Sequence, residues 1–180
     1  MSTWTQEDYI QAYRFAAQAH QGQTFPGTDL PYLMHLSFVS MEVIAALAVE
    51  PQKNESLAIQ SALLHDVIED TNTTFEQVAD SFGVAVAQGV LALSKDKSLP
   101  KGEQMADCLH RIKEQPREIW MVKMADRISN LQAPPPYWNQ EKIKRYQTEA
   151  QSILEALQDA SPYLQERLRH KIDQYGSFII

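Results

Sequence analysis

The segment Leu63-Leu64-His65-Asp66-Val67-Ile68-Glu69-Asp70 carries four ionisable side chains in an otherwise apolar run. On a helix, at about 100° per residue, these four side chains fall within an arc of about 140°. One face would then carry an imidazole and three carboxylates. Burying such charges is costly unless they are paired or bind a metal. The segment therefore predicts a site for a divalent cation.

Composition and charge narrow the class of protein. The 180 residues predict a single domain over residues 1–180, large enough for a hydrophobic core without disulfides. The formal net charge of −7 disfavours nonspecific binding to nucleic acid or to an anionic membrane. No apolar run reaches the roughly 20 residues of a membrane span, and the N-terminus lacks the apolar stretch of a signal peptide. With Cys108 as the single cysteine, we expect a cytoplasmic protein with no nucleic-acid or membrane partner, and oligomer formation stays open.

Apolar residues recur at helical spacing along the whole chain, which predicts an all-α fold. A capping box of Thr73 and Glu76 is expected to begin a short helix that ends near Phe82. Ser161 and Pro162 predict the cap and first turn of the last helix. The predicted helices cover about 5–22, 32–49, 55–70, 74–82, 84–93, 103–114, 117–132, 139–158 and 162–174.

A metal centre needs more ligands than His65 and Asp66, and the sequence offers three candidates, His35, Asp126 and His20. His35 follows Leu33-Met34 in apolar company, and Asp126 lies on a predicted helix. Two imidazole nitrogens and two carboxylate oxygens would suit Mn²⁺, Fe²⁺ or Zn²⁺. The alternatives are a hydrogen-bonded structural His35 and an Asp126 that forms a solvated ion pair with Arg127.

Other polar residues near these segments allow two interpretations each. His20 ends the first predicted helix and would bond a loop carbonyl, or belong to the site. The lysines of the loop 94–102 would be solvated, or would contact a substrate; they are Lys95, Lys97 and Lys101.

Four segments in this order resemble the HD-domain metal-dependent phosphohydrolases. The similarity is greatest to the ppGpp hydrolase domain of Rel/SpoT enzymes and to small stand-alone alarmone hydrolases. The segments are Ala19-His20-Gln21-Gly22-Gln23, Pro31-Tyr32-Leu33-Met34-His35, Ala62-Leu63-Leu64-His65-Asp66-Val67-Ile68-Glu69-Asp70-Thr71 and Lys123-Met124-Ala125-Asp126-Arg127-Ile128-Ser129-Asn130-Leu131.

The resemblance implies a single HD-domain helical fold and a nucleotide as substrate. It implies removal of pyrophosphate from the 3′ side of a guanosine tetra- or pentaphosphate. The residues that it implies are the Mn²⁺ ligands His35, His65, Asp66 and Asp126, the catalytic pair Glu69 and Asp70, and the substrate-binding residues Lys123, Arg127, Asn130 and Tyr146.

One loop departs from the family. Between Gly-Gln and Pro-Tyr the family usually carries a basic pair, whereas the segment from Gln23 to Leu30 contains no Lys or Arg and includes Asp29. Two alternatives therefore accompany the alarmone hydrolase: an HD phosphohydrolase of another nucleotide or small phosphoester, and a nucleotide sensor that binds without hydrolysis.

Overall fold

The computed structural model describes residues 4–52 and 54–180, and within these ranges the fold is all-α, as predicted. The helices are α1 (Gln6–Ala19), α2 (Leu33–Val49), α3 (Glu55–Leu64), α4 (Val67–Asp70), α5 (Phe75–Phe82), α6 (Val84–Leu93), α7 (Gln104–Lys113), α8 (Arg117–Asn130), α9 (Gln140–Leu157) and α10 (Pro162–Tyr175). A short 3-10 helix, Gly176–Phe178, follows α10. The only β pairing in the described residues is an isolated bridge between Thr24 and Pro31.

Three mutually packed helices, α2, α3 and α8, form the centre of the molecule. Their apolar side chains, such as Leu36, Leu63 and Ile128, are fully buried. Helix α1 packs on α3, and α10 packs on α8. Helix α8 also buries charged side chains, which requires polar partners inside the protein.

The predicted helix 55–70 is interrupted, and its four ionisable groups do not share one helical face. Helix α3 ends at Leu64, and α4 begins at Val67. The ring of His65 bonds the carbonyl oxygen of Ala62 through Nδ1, at 2.8 Å. A side-chain bond to a backbone carbonyl competes with the backbone hydrogen bonds of the helix. The chain turns at His65 and Asp66.

The predicted capping box is wrong by one residue. Thr74, rather than Thr73, is the N-cap of α5: its hydroxyl accepts from the backbone of Gln77, whose side chain accepts from the backbone of Thr74. Thr73 instead bonds Thr71 through both its hydroxyl and its backbone N–H. The pairs Thr73 with Glu76 and Thr74 with Gln77 both satisfy the sequence rule for a capping box. The hydrogen bonds between Thr73 and Thr71 leave Thr74 as the N-cap.

The remaining predicted helices are present, with ends within about two or three residues of the expected ones. Ser161 caps α10 as predicted, and Thr5, near which the first helix was expected to begin, is the N-cap of α1. Among the described residues no helix is both long and apolar enough to cross a membrane.

Candidate metal centre

Four side chains from three segments of the chain converge among the central helices. His35 lies in the first turn of α2, His65 and Asp66 form the turn between α3 and α4, and Asp126 lies on α8. The ligand atoms of His35, His65 and Asp126 are all within 4.8 Å of one another. The carboxylate of Asp66 lies 2.9 Å from His65 Nε2 and 3.7 Å from His35 Nε2.

The separations fit the donor set of a single divalent cation. Metal–ligand bonds of about 2.1 Å at angles between tetrahedral and octahedral place adjacent donors about 3.0–3.4 Å apart. His35 Nε2 lies 3.2 Å from His65 Nε2 and 3.4 Å from Asp126 Oδ1. Two imidazole nitrogens that face each other at this distance repel unless a proton or a cation lies between them. His65 Nε2 lies 3.8 Å from Asp126 Oδ1. His35, His65 and Asp126 therefore form a cluster that could hold a divalent metal ion, and Asp66 lies beside the two imidazoles.

Hydrogen bonds at the far side of each ring turn Nε2 towards the centre. The carbonyl of Ala62 can only accept, so His65 Nδ1 carries a proton and Nε2 of the neutral ring carries the lone pair. His35 Nδ1 lies 3.0 Å from the Ser129 hydroxyl. Such outer partners orient the imidazole ligands of metal ions.

The charges of the cluster are strongly coupled. Burial lowers the pKa of His65, but the neighbouring carboxylates of Asp66 and Asp126 outweigh it and raise the pKa to about 9. Burial raises the pKa of Asp66, but His65 outweighs it and holds that pKa below its usual value. The phenol of Tyr32 donates to Asp66 Oδ2 at 2.5 Å.

The carboxylate of Asp126 is held by two residues that the sequence places in substrate binding. Lys123 Nζ contacts Asp126 Oδ2 at 3.0 Å, and the Asn130 amide donates to Oδ1 at 2.6 Å. Burial raises the pKa of Asp126, but the Lys123 ammonium and the two histidines outweigh it and hold that pKa well below its usual value. Lys123 is buried, whereas Asn130 is partly exposed.

Arg127 and Tyr146 join α8 to α9. The guanidinium carbon of Arg127 lies 4.1 Å from the centre of the Tyr146 ring, an arrangement typical of a cation–π contact. Arg127 also lies 3.4 Å from the Glu149 carboxylate and donates to the Tyr146 carbonyl. The Arg127 side chain is buried, and that of Tyr146 is half-buried.

Glu69 and Asp70 line an open cavity of about 600 Å³, together with His20, Gln23 and Lys97. The backbone N–H of Lys95 donates to Glu69 Oε2 at 2.7 Å. Lys97 Nζ donates to the Glu69 carbonyl at 2.6 Å and lies 3.4 Å from Asp70 Oδ1. Burial is the main cause that raises the pKa of Glu69. A carboxylate of raised pKa next to a cavity suits proton transfer.

The loop without basic residues also borders the centre. The Phe25 ring lies 5.7 Å from the His35 ring and 6.5 Å from the Tyr32 ring. Gly27 has a positive φ of 81°, and a Cβ there would lie 3.2 Å from Pro135, so the turn lies against the proline-rich segment before α9.

Several residues that support the site were not singled out from the sequence. Tyr32 and Ser129 lie inside the family-like segments, but only the structure shows which ligand each of them contacts. The backbone of Lys95 was also missed, because a backbone donor leaves no signal in the residue type.

The HD domain model matches residues 12–161. The chain belongs to the HD-domain family. This HD-domain protein is 30% identical over 172 residues to "Guanosine-3′,5′-bis(diphosphate) 3′-pyrophosphohydrolase MESH1" of Danio rerio, covering 93% of each chain. It is also 34% identical over 141 residues to the "Bifunctional (p)ppGpp synthase/hydrolase SpoT" of Escherichia coli, covering 73% of this chain and 19% of SpoT.

A solved structure has the same fold as this HD-domain protein. It is described as a metazoan ortholog of SpoT that hydrolyses ppGpp; it matches with a TM-score of 0.82 and 28% identity, and the match covers 97% of this chain and 99% of that one.

Proposed function

We propose that this HD-domain protein is a metal-dependent phosphohydrolase that removes the 3′-pyrophosphate group of ppGpp, with Mn²⁺ as its cofactor. The observation that carries the proposal is the convergence of His35, His65 and Asp126, whose ligand atoms all lie within 4.8 Å of one another, with the Asp66 carboxylate beside both imidazoles. Two nitrogen and two oxygen donors suit Mn²⁺. The similarity to MESH1 over 93% of the chain supports the choice of substrate.

When bound, the cation polarises a phosphoryl oxygen and makes water more acidic. Glu69 orients the attacking water and accepts its proton, since burial raises its pKa and the Lys95 N–H fixes one carboxylate oxygen. The water oxygen forms a bond to the phosphorus that is attached to O3′. The bond between this phosphorus and O3′ breaks, pyrophosphate leaves, and O3′ takes up a proton. Asp70 exchanges protons with solvent at the edge of the cavity.

The four residues to which the resemblance assigns substrate binding form two groups, one partly exposed and one buried. Asn130 and Tyr146 are partly exposed and are proposed to contact the nucleotide. Lys123 and Arg127 are buried against protein partners and are proposed to position Asp126 and Tyr146. The proposed HD domain spans residues 1–180 of a cytoplasmic protein, with a small nucleotide as its partner.

The test is pyrophosphate release from ppGpp by the purified chain, with Mn²⁺ or with a chelator, beside a panel of nucleotides. Removing one ligand by Asp66→Asn should reduce turnover more than about 100-fold, the upper range for outer-shell partners. Glu69→Gln should bind Mn²⁺ normally and turn over about 10²–10⁴-fold more slowly. Turnover that survives both the chelator and Asp66→Asn would refute the metal centre.

The loop of residues 23–30 favours a second candidate, an HD phosphohydrolase of a less charged phosphoester. Phe25 lies beside His35, and the loop offers no cation to a diphosphate. If the panel contains a better substrate than ppGpp and ppGpp is inert, this second candidate replaces the first while the metal centre stands. A protein that binds ppGpp but hydrolyses no member of the panel would instead be a sensor.

A further inference from the structure

His20, at the C-terminal end of α1, has a buried polar atom that no described residue satisfies. The side chain is 4% exposed. Its Nδ1 lies 2.7 Å from Gln23 Oε1, whereas its Nε2 has no hydrogen-bond partner among the described residues. Buried polar groups are nearly always hydrogen-bonded, so an unsatisfied one needs an explanation.

The position of His20 connects the metal centre to the cavity. Its ring stacks on the ring of Tyr32, with 4.8 Å between the ring centres, and Tyr32 donates to Asp66. His20 also lines the cavity of about 600 Å³ that Glu69 and Asp70 border. His20 therefore lies in the wall of this cavity, with its Nε2 atom buried behind the cavity surface.

The hydrogen bond to Gln23 shows which ring nitrogen of His20 donates and which accepts. The amide oxygen of Gln23 only accepts, so Nδ1 of His20 carries the proton. In the neutral ring Nε2 then carries a lone pair and accepts. Burial favours this neutral form, because it lowers the pKa of His20 more than Gln23 and the nearby carboxylates raise it.

We propose that His20 Nε2 accepts a hydrogen bond from an O–H group at the reacting phosphate, which makes His20 a further catalytic residue. The donor is either the attacking water or a ribose hydroxyl of the nucleotide, since an ionised phosphate has no proton to donate. The inference rests on the proposed function, because it needs a phosphoester in the cavity.

Two substitutions separate the nitrogens of His20. His20→Asn keeps an amide N–H near the position of Nδ1 and removes Nε2, whereas His20→Gln places an amide near Nε2 and loses the bond to Gln23. Loss of one hydrogen bond in the transition state predicts a 10- to 100-fold lower kcat for His20→Asn. His20→Gln should retain more activity than His20→Asn.

The measurements are kcat and KM on ppGpp, Mn²⁺ affinity by calorimetry, and thermal unfolding. His110→Asn is the matched control, because His110 is exposed on α7 and should leave all four values unchanged. Metal affinity of His20→Asn should equal that of the wild type, whereas loss of the buried ring that stacks on Tyr32 should lower the unfolding temperature of both variants. A wild-type kcat in His20→Asn, with both variants destabilised, would overturn the inference and make His20 a support for the Tyr32 ring.

The 2′-deoxy analogue of ppGpp identifies the donor. An equal loss in His20→Asn on both substrates assigns the bond to the attacking water, and a loss that vanishes on the analogue assigns it to the ribose 2′-hydroxyl. If the wild type does not hydrolyse ppGpp, the proposed substrate fails, and the same pair of variants is assayed on the phosphoester that is turned over. His20 and the substrate are therefore tested independently.

Discussion

At the scale of single residues, the proposed ligand Asp66 depends on a neighbour that is not itself a proposed ligand. Tyr32 donates to Asp66 Oδ2, the oxygen that also faces both imidazoles. The phenol therefore fixes the rotation of the carboxylate before a cation arrives. Outer partners of this kind typically contribute 10- to 100-fold to metal affinity.

We predict that Tyr32→Phe weakens Mn²⁺ binding by about 10-fold or more, because the ring remains while the hydrogen bond is lost. Isothermal titration calorimetry of the metal-free protein measures this change. Tyr163→Phe, on α10, is the control and should bind as the wild type does. Unchanged affinity in Tyr32→Phe would show that α2, α3 and α8 alone orient Asp66.

The raised pKa of Glu69 predicts the acid side of the pH profile. In the proposed mechanism the carboxylate form of Glu69 accepts the proton, so the rate should be full above the pKa of Glu69 and fall as the pH drops through it. Because burial raises that pKa, the midpoint should lie above the ordinary value of about 4.3. The measurement is kcat against pH at saturating Mn²⁺, with bound metal checked at each pH. Glu69→Gln should lose this acid limb, and an unchanged limb would assign the base to another group.

At the scale of elements, the sequence predicts where helices form, but it does not predict that the helix 55–70 is interrupted at His65 and Asp66. Caps such as Thr5 and Ser161 are local, so their residue types predict where α1 and α10 begin. The turn after α3 depends on where the His65 ring lies relative to Ala62 and Asp66, which is a matter of tertiary packing. The metal ligands could be inferred by resemblance, whereas their supporting hydrogen bonds required coordinates.

Helices α6 and α8 meet at a glycine, which predicts a stability effect. A Cβ on Gly89 would lie 2.4 Å from Ile119 Cδ1, so in Gly89→Ala either the buried Ile119 side chain or the two helices must shift. Overpacking of this kind costs about 1–3 kcal/mol. Thermal unfolding should show a lower Tm, and Gly102→Ala, with open space around its Cβ, is the matched control. Equal Tm values for the two variants would mean that Ile119 changes rotamer freely.

At the scale of the whole molecule, the metal centre joins three helices and should stabilise the fold when occupied. Binding to the native state alone adds about 2.7 kcal/mol at a free metal concentration of 100 times Kd. For a chain of this size that corresponds to a rise in Tm of about 5–11 °C. A chelator should reverse the rise in the wild type and leave the Tm of Asp66→Asn unchanged. A Tm that ignores Mn²⁺ in the wild type would contradict a centre formed by α2, α3 and α8.

The ligands are also far apart along the chain, from His35 in α2 to Asp126 in α8. Contacts between such distant segments form only after most of the chain has been ordered, because the entropy of closing the intervening loop must first be overcome. The complete donor set is then absent from the folding transition state, and interactions that are absent there act on the unfolding rate. The bound ion would therefore lengthen the lifetime of the folded protein while leaving the speed of its folding almost unchanged.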